Sequence, residues 1–318
     1  KSTILILESK DYSKKALETY RSLGHVFLYS EIPAKKIKEV LRQTNVLVVR
    51  LAHRIDEEWL SRMPNLKIIA TPTTGLNHID VDAAAKRGIK VVSLRGHASF
   101  LKNIPSTAEL TIGLMLALVR KIPWAFEDVK KGKWDRDAWK GAQLCQKTLG
   151  LFGCGRLGKL VARYAKAFGM EVIGYDPYVS FEKMKRAGIK KVGETELFET
   201  SDIVSVHALL TEETKNYIGE KHLGMMKPSA YLVNTSRGEI IEKRALEKAL
   251  ARKWIAGAAV DVMRDERADG SHLRKNPLIE YAKTHYNFII VPHIGGATEE
   301  AMRATEEFIV EEVQKAIE

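Results

Sequence analysis

The sequence predicts an α/β protein made of two doubly wound parallel-sheet domains. Three observations lead to this prediction. Short apolar runs alternate with polar, amphipathic stretches along the chain, which is the pattern of successive strand–helix units. A glycine-rich turn at 153–158 separates an apolar run from an amphipathic stretch and so marks a strand–turn–helix unit. With 318 residues, the chain is long enough to bury two separate hydrophobic cores.

The first part of the chain predicts a small parallel sheet domain over residues 1–97. Its apolar runs indicate strands at Ile4–Glu8, His25–Tyr29, Asn45–Arg50, Leu66–Ala70 and Lys90–Ser93. The amphipathic stretches between them indicate helices at Tyr12–Leu23, Ala34–Gln43, Glu57–Arg62 and Val81–Arg87. Strands that alternate with helices in this way form a parallel sheet with helices on its faces.

The second domain, predicted over residues 98–296, begins with an apolar helix at Thr107–Arg120. A capping box, Ser106 with Glu109, predicts its start, and Pro123 predicts its end. Because this helix is apolar on nearly all sides, we expect it to be buried, in part against a second subunit. Further strands are predicted at Lys147–Phe152, Glu171–Asp176, Asp202–His207, Ala230–Asn234, Trp254–Asp261 and Phe288–Val291. A final helix, Glu299–Ile317, is expected to return to the first domain as residues 297–318.

The glycine turn predicts a dinucleotide site. Gly153 permits a tight turn, Gly155 allows the backbone to approach a pyrophosphate, and Gly158 lets helix and strand pack closely. The free N–H groups at the start of the next helix favour a diphosphate. Asp176 ends the following strand, where a carboxylate can bind ribose hydroxyls and repel a 2′-phosphate. The expected cofactor is therefore NAD and not NADP.

Composition restricts the other partners. The net charge of +11 can indicate a nucleic-acid partner, but the lysines occur in scattered pairs beside acidic residues, which favours solvated helix faces. No apolar run is long enough to span a bilayer, and no signal-peptide pattern is present. The two cysteines exclude a disulfide framework, so we expect a cytoplasmic protein. The nine histidines show no metal-ligand spacing, so no metal site is expected.

Three charged residues follow predicted strands of the second half, where open α/β sheets bind ligands. They are Arg237, Glu266 and His293. Histidine suits acid–base chemistry on a hydroxyl near neutral pH, and a neighbouring glutamate can bond its other ring nitrogen and fix the tautomer. An arginine fork matches a carboxylate and polarises an adjacent carbonyl. No GxSxG elbow surrounds Ser236, so a serine nucleophile is not indicated.

Three segments carry a family resemblance: Leu232–Glu239, Ala259–Val262 with Glu266, and Pro292–Thr298. Together with the glycine turn and Asp176, they resemble the D-isomer-specific 2-hydroxyacid dehydrogenases, and within that family the D-3-phosphoglycerate dehydrogenases most closely. The resemblance covers essentially the whole chain. It implies a Rossmann dinucleotide-binding domain and a smaller flavodoxin-like catalytic domain split between the two ends of the chain. The broad apolar surface of the helix Thr107–Arg120 separately predicts a homodimer built through that helix.

The resemblance also implies roles for individual residues. His293 is the acid–base, Glu266 its partner, and Arg237 the clamp on the substrate's carboxylate and carbonyl. Backbone N–H groups of Thr74 and Gly75 hold the substrate carboxylate, and Arg50 is a candidate phosphate ligand, although Leu51 replaces a serine found beside it in phosphoglycerate-specific relatives. The implied cofactor contacts are Thr74, Gly153, Gly155, Arg156, Leu157, Gly158, Asp176, His207, Ala208, Thr214, Thr235, Ser236, Asp261, Gly295 and Gly296.

The implied function is NAD-dependent hydride transfer on a small D-2-hydroxy acid. The first candidate reaction converts 3-phosphoglycerate to 3-phosphohydroxypyruvate in serine biosynthesis. Alternatives within the class are a reductase of another 2-oxo acid, such as glyoxylate or hydroxypyruvate, and a dehydrogenase of a surface-sugar pathway. The alternative outside the class is an NAD(H)-sensing, corepressor-like interaction protein, because such proteins use the same fold and can retain the charged trio.

Overall fold

The structure is a computed structural model that describes residues 2–267 and 269–317. The chain divides into two compact units. The first contains the chain up to Ile104 and from Ala297 onward, with Arg267 and Asp269; the second contains Pro105–Glu266 and Gly270–Gly296. The sequence predicted the first boundary after residue 97. In the structure, residues 98–104 belong to the first unit, because Leu101 is part of that unit's apolar core.

Within the described residues, the strands are β1 (Ser2–Ile6), β2 (Gly24–Leu28), β3 (Val46–Val48), β4 (Ile68–Ala70), β5 (Lys90–Val92), β6 (Thr148–Phe152), β7 (Glu171–Tyr175), β8 (Lys190–Lys191), β9 (Ile203–Val206), β10 (Tyr231–Asn234), β11 (Gly257–Val260) and β12 (Phe288–Ile290). The helices are α1 (Lys14–Leu23), α2 (Ala34–Gln43), α3 (Glu57–Ser61), α4 (Val81–Lys86), α5 (Ala98–Leu101), α6 (Ser106–Val119), α7 (Ile122–Lys130), α8 (Arg156–Ala167), α9 (Phe181–Arg186), α10 (Glu194–Thr200), α11 (Glu220–Met225), α12 (Ala245–Ala251), α13 (Pro277–Thr284) and α14 (Glu299–Ile317).

The first unit is built on a five-stranded parallel sheet with the strand order β2-β1-β3-β4-β5. This is the flavodoxin-like order, as the family resemblance implied. Alternate residues of each strand enter separate apolar cores on the two faces of the sheet, as Ile4 and Leu5 do in β1. The C-terminal helix α14 completes one of these cores with Ile309 and Val313.

The second unit is built on a seven-stranded parallel sheet with the order β12-β11-β10-β9-β6-β7-β8. Counted from β6, the order matches the doubly wound dinucleotide-binding topology extended by one strand, and it reverses direction between β6 and β9. Strand β8, the two residues Lys190–Lys191 at the sheet edge, had no counterpart in the sequence prediction because two lysines show no strand pattern. The predicted Rossmann domain is confirmed.

Helix α6 begins differently from the sequence prediction. Pro105 occupies the N-cap position, no side chain caps the helix, and the hydroxyl of Ser106 is buried without a hydrogen-bond partner within the described residues. The predicted capping box is therefore wrong, because Pro105 already has a helical backbone and moves the helix start by one residue. Pro123 does not end α6 but lies in the first turn of a separate helix, α7, where its missing N–H costs nothing.

Every helix within residues 2–267 and 269–317 is too short or too polar to cross a lipid bilayer.

Candidate active site

The glycine turn joins β6 to α8 at the reversal point of the larger sheet. Gly153 has a φ of +96°, and a Cβ there would lie 2.5 Å from the backbone nitrogen of Ala208. A Cβ on Gly158 would lie 2.4 Å from the carbonyl oxygen of Gly153. Both positions require glycine, because a side chain would collide with backbone atoms that cannot move aside. The turn therefore packs tightly against the end of β9.

Gly155 differs from its two neighbouring glycines. It is the N-cap of α8, provides no capping side chain, and a Cβ on it would meet no atom within 4 Å. The helix start is therefore open at Gly155, which is exposed. A diphosphate is the ligand that such a helix start favours, so this part of the structure fits a dinucleotide. Arg156 follows in the first turn, where partial burial lowers the pKa of its guanidinium.

Asp176 follows β7 and organises the neighbouring loops. One carboxylate oxygen accepts the N–H of Cys154 at 2.8 Å, and the other accepts the N–H of Tyr178 at 2.9 Å and that of Val179 at 3.2 Å. A carboxylate has lone pairs for further bonds, so these contacts position the group without excluding ribose hydroxyls. Asp176 is thereby fixed beside the glycine turn, at the place where the sequence predicted the ribose ligand.

His207 follows β9, and its side chain is half-buried with its Nδ1 shielded from solvent. Its Nε2 shares a hydrogen bond with the Ser205 hydroxyl at 2.8 Å, and no group within the described residues bonds its Nδ1. Burial lowers the pKa of His207 to about 4. The imidazole is therefore neutral in the folded protein, and its backbone forms one wall of the glycine turn, since a Cβ on Gly153 would lie 2.7 Å from the His207 carbonyl carbon.

The loop after β10 carries Thr235, Ser236 and Arg237 in a fixed conformation. The buried Asn234 accepts the N–H of Ser236 and donates to the carbonyl of Arg237, both at 3.0 Å. The Thr235 hydroxyl bonds the Thr111 hydroxyl of α6 at 2.8 Å, and the Ser236 hydroxyl donates to the Ala208 carbonyl. Asn234 was not among the site residues predicted from the sequence, although an asparagine two residues before the bonded N–H is typical of such turns.

The loop after β12 is held by Asp261 at the end of β11. The carboxylate of Asp261 accepts the N–H of Ile294 at 2.6 Å and the N–H of Gly295 at 2.8 Å. A Cβ on Gly295 would lie 2.9 Å from the same carboxylate, which explains the glycine. Burial raises the pKa of Asp261, although the two N–H groups oppose that effect.

His293 and Glu266 form a direct pair. The Nδ1 of His293 lies 2.6 Å from one oxygen of Glu266, and the other oxygen accepts the N–H of Met263 at 2.6 Å. Burial would raise the pKa of Glu266, but the hydrogen bond and charge of His293, the Met263 N–H and the charge of Arg237 together hold it below its ordinary value. Glu266 is therefore ionised at neutral pH and fixes the imidazole, leaving Nε2 to exchange a proton.

Arg237 belongs to the same group of charges. Its side chain is mostly buried, and one guanidinium nitrogen donates to the Ser236 carbonyl at 2.6 Å. Burial lowers the pKa of the guanidinium, while the charges of Glu266, Glu239 and Asp261 oppose that effect. The second unit thus brings together the three residues that the sequence predicted as catalytic: a desolvated cation and a carboxylate–imidazole pair.

The remaining predicted cofactor contacts occupy defined places in the second unit. Leu157 is partly buried against the core beneath α8, Thr214 accepts the N–H of Thr211 at 2.8 Å, and a Cβ on Gly296 would meet nothing within 4 Å. No cluster of three or more His, Cys, Asp or Glu side chains suited to a metal ion occurs in the part of the chain that the structure describes.

The predicted substrate contacts Arg50, Thr74 and Gly75 lie in the first unit. Thr74 and Gly75 follow β4, in a loop braced by the Thr73 hydroxyl, which donates to the Gly75 carbonyl at 2.8 Å. The Arg50 guanidinium pairs with the buried Glu306 of α14 and donates to the Lys10 carbonyl at 3.1 Å. Its charge is therefore already balanced within the first unit.

The neighbouring His53 also has an internal partner. Its Nδ1 lies 2.7 Å from Glu8, and the same carboxylate accepts the N–H groups of His53 and Arg50. Leu51, between them, is exposed. The loop after β3 therefore presents an apolar side chain beside Arg50 and His53, which already have internal partners.

Comparison with known proteins agrees with this geometry. Residues 112–295 match the family described as D-isomer specific 2-hydroxyacid dehydrogenase, NAD binding domain. The chain is 36% identical over 315 residues to D-3-phosphoglycerate dehydrogenase of Methanocaldococcus jannaschii. This match covers 99% of this chain but 57% of that protein. It is 38% identical over 284 residues to glyoxylate reductase of Thermococcus litoralis, which covers 87% of this chain and 82% of that protein.

A solved structure shares the fold over the full length. D-lactate dehydrogenase from Aquifex aeolicus, complexed with NAD and lactic acid, is 30% identical with a TM-score of 0.82, and the match covers 99% of this chain and 95% of that one. The chain thus spans a little over half the length of the matched phosphoglycerate dehydrogenase and nearly all of the lactate dehydrogenase.

Proposed function

Because the chain belongs to the family of D-isomer-specific 2-hydroxyacid dehydrogenases and carries its NAD-binding domain, we propose that it interconverts a small D-2-hydroxy acid and the corresponding 2-oxo acid. The observation that carries the proposal is the His293–Glu266 pair beside the partly buried Arg237, in the same unit as the glycine turn. NAD, when bound, accepts or donates the hydride at its nicotinamide ring.

The residues of the chain account for the remaining chemistry. His293 takes the proton from the C2 hydroxyl during oxidation and returns it to the carbonyl oxygen during reduction, through the nitrogen that Glu266 does not hold. Arg237 binds the substrate's carboxylate and polarises the adjacent carbonyl, since a desolvated guanidinium interacts more strongly than a solvated one. Backbone N–H groups of Thr74 and Gly75 are proposed as further carboxylate ligands.

The proposed cofactor preference is for NAD over NADP. Asp176 is fixed by three backbone N–H groups beside the glycine turn, so its carboxylate cannot easily rotate away from a 2′-phosphate. Ala208 packs against the glycine turn, and Thr235, Ser236 and Asp261 follow neighbouring strands of the same sheet. These four residues are proposed as contacts further along the dinucleotide.

The substrate has two candidates. Similarity to the Methanocaldococcus jannaschii D-3-phosphoglycerate dehydrogenase, which is 36% identical along 99% of this chain, favours 3-phosphoglycerate. That substrate would place the reaction in serine biosynthesis. The pairing of Arg50 with Glu306 and of His53 with Glu8 favours an unphosphorylated acid such as glyoxylate or hydroxypyruvate, because side chains already bonded to internal carboxylates offer less to a phosphate.

A substrate panel tests both the proposed reaction and the identity of the substrate. Purified protein is mixed with NADH and, separately, phosphohydroxypyruvate, hydroxypyruvate and glyoxylate, and the loss of NADH absorbance is followed. We expect turnover that falls roughly 10²–10⁴-fold in kcat in His293→Ala, while NADH binding is retained. The exposed His285 supplies a matched control, His285→Ala. Consumption of no 2-oxo acid would favour an NAD(H)-sensing role, and the best substrate decides between the two acids.

We also propose a homodimer. Most apolar side chains of α6, where the sequence placed the interface, are buried in the core of the second unit. The neighbouring helix α7 instead exposes Ile122, Phe126 and Val129, each at least half accessible. Their spacing places them on one face of the helix, which makes that face the better candidate for the interface.

A further inference from the structure

A side-chain hydrogen bond connects the two loops on either side of the glycine turn. In the larger sheet β6 lies between β7 and β9, so the loops after β7 and β9 flank the turn after β6. Tyr178 lies in the first of these loops and Glu213 in the second. The Tyr178 hydroxyl donates to the Glu213 carboxylate, and this contact therefore spans the strand end at which the dinucleotide site is proposed.

Hydrogen bonds hold the loop on each side of the contact. The Tyr178 N–H is bonded to Asp176, which also holds the turn through the Cys154 N–H. On the other side, the hydroxyl of Thr214 accepts the Thr211 N–H and donates to the Leu209 carbonyl. The loops are thus fixed, whereas the Tyr178 ring is 77% exposed and the rest of the unit does not cover it.

The contact also joins Glu213 to the residue that Asp176 holds, because the Tyr178 hydroxyl donates to Glu213 while the Tyr178 N–H donates to Asp176. The hydrogen bond to Glu213, its charge, and the charge of Asp176 all raise the pKa of Tyr178, so the phenol stays a neutral donor at physiological pH. Tyr178 is therefore in contact with both acids, through its hydroxyl and its backbone N–H. A 2′-phosphate brought to Asp176 would meet the negative charge of Glu213 in addition to that of Asp176, and like charges oppose binding.

We propose that Tyr178 and Glu213 form a latch that closes over the adenosine half of bound NAD, and that Glu213 acts with Asp176 to reject the 2′-phosphate of NADP. The proposal rests on the proposed NAD preference and adds two residues to it. The tyrosine supplies a ring and a donor that slow the release of the dinucleotide. The glutamate supplies a second negative charge.

The test measures binding, not turnover. Dissociation constants for NADH and NADPH come from titration calorimetry, and NADH release rates from stopped-flow fluorescence. Tyr178→Phe keeps the ring and removes the donor, so we expect NADH release to become about fivefold faster. Glu213→Gln removes the charge, so we expect NADPH to bind about five- to tenfold tighter relative to NADH.

Two neighbouring positions provide controls. Glu212→Gln removes the same charge one residue away, and Tyr286→Phe removes the hydroxyl of another exposed tyrosine. Equal effects of Glu212→Gln and Glu213→Gln, or unchanged NADH release in Tyr178→Phe, would overturn the latch. If the unaltered protein prefers NADPH or binds neither dinucleotide, the proposed NAD preference itself fails, and the two failures are therefore distinguishable.

Discussion

At the scale of single residues, the backbone of His293 is the least expected feature of the site. Its φ is +54°, a left-handed conformation that is unfavourable for a residue with a Cβ by roughly 1–2 kcal/mol. Two hydrogen bonds from its N–H, to the carbonyls of Asp261 and Val291, hold it there. Such strain persists only where the surroundings determine the conformation, and here it accompanies the contact between the imidazole and Glu266.

Glu266 is expected to set the pH range of the reaction. Glu266→Gln keeps a hydrogen-bond acceptor at the same place but removes the negative charge that favours the imidazolium of His293. Reduction requires the protonated ring, so we expect the upper limb of the kcat/KM profile for reduction to move to lower pH by about one unit. A profile that superimposes on that of the unaltered protein would remove Glu266 from the proton transfer.

His207 is expected to make stability depend on pH. Its pKa is lowered to about 4 in the folded protein, below the ordinary value of 6.5. Between these values the unfolded chain binds a proton that the folded protein excludes, so the free energy of unfolding decreases as the pH falls through this window. The contribution is complete above about pH 6.5, and its slope is at most about 1.4 kcal/mol per pH unit.

Denaturant unfolding of the protein and of His207→Gln, at several pH values from about 7 to 5, checks this expectation. Glutamine cannot titrate, so the variant should lose less stability on acidification than the unaltered protein. His285→Gln, at an exposed position, should follow the unaltered protein. If the free energy of unfolding changes with pH in the same way in all three proteins, folding does not lower the pKa of His207.

At the scale of elements, the starts of α8 and α10 offer a comparison within one chain. Gly155 and Gly193 are both N-caps with an extended backbone and negative φ, and a Cβ on either would meet nothing within 4 Å. Alanine is therefore tolerated sterically at both positions. Only Gly155 belongs to the glycine turn, where a methyl group would stand between the backbone and a pyrophosphate.

We therefore expect Gly155→Ala to keep its melting temperature without cofactor but to bind NADH at least tenfold more weakly. Gly193→Ala should change neither quantity by more than a small amount. Thermal unfolding and NADH titration of both variants provide the measurement. Equal NADH affinity in the two variants would contradict the assignment of the diphosphate to the start of α8.

The strands and the site follow from the sequence to different extents. Every predicted strand occurs, because buried parallel strands are continuous apolar runs and Gly153 and Asp176 mark the ends of two of them. Helix α7 was not predicted, because Pro123 was interpreted as the end of the preceding helix, whereas it lies in the first turn of α7. The start of α6 was misplaced because Ser106 and Glu109 fit a capping pattern that only the backbone of Pro105 could exclude.

The charged trio was predictable by its position after strands, whereas one of its supports was not. Asn234 and the N–H of Met263 act over two or three residues, so a local turn pattern could have indicated them. The bond between Thr111 and Thr235 joins residues 124 apart in the sequence, and no local pattern encodes such a contact. The internal partner of Arg50 was likewise out of reach, because Glu306 lies 256 residues away in the sequence.

At the scale of the whole molecule, a monomer would leave the apolar face of α7 exposed to solvent. Phe126 is 62% exposed, and Trp134, just after the helix, is 89% exposed. Large apolar side chains grouped on one face typically mark an interface, and a homodimer needs a patch that complements its own copy. The helix α9 offers an internal comparison, since Phe181 is also exposed there.

Phe126→Glu is therefore expected to separate the dimer into monomers, because the carboxylate would lose its hydration within an apolar interface. Light scattering should give twice 35.8 kDa for the unaltered protein and about 35.8 kDa for the variant at micromolar concentration. Phe181→Glu is the matched control: both phenylalanines have a lysine four residues later over the ring, at 5.4 Å for Phe126 and 5.9 Å for Phe181. A monomeric unaltered protein refutes the dimer, whereas a dimer that persists in Phe126→Glu places the interface away from α7.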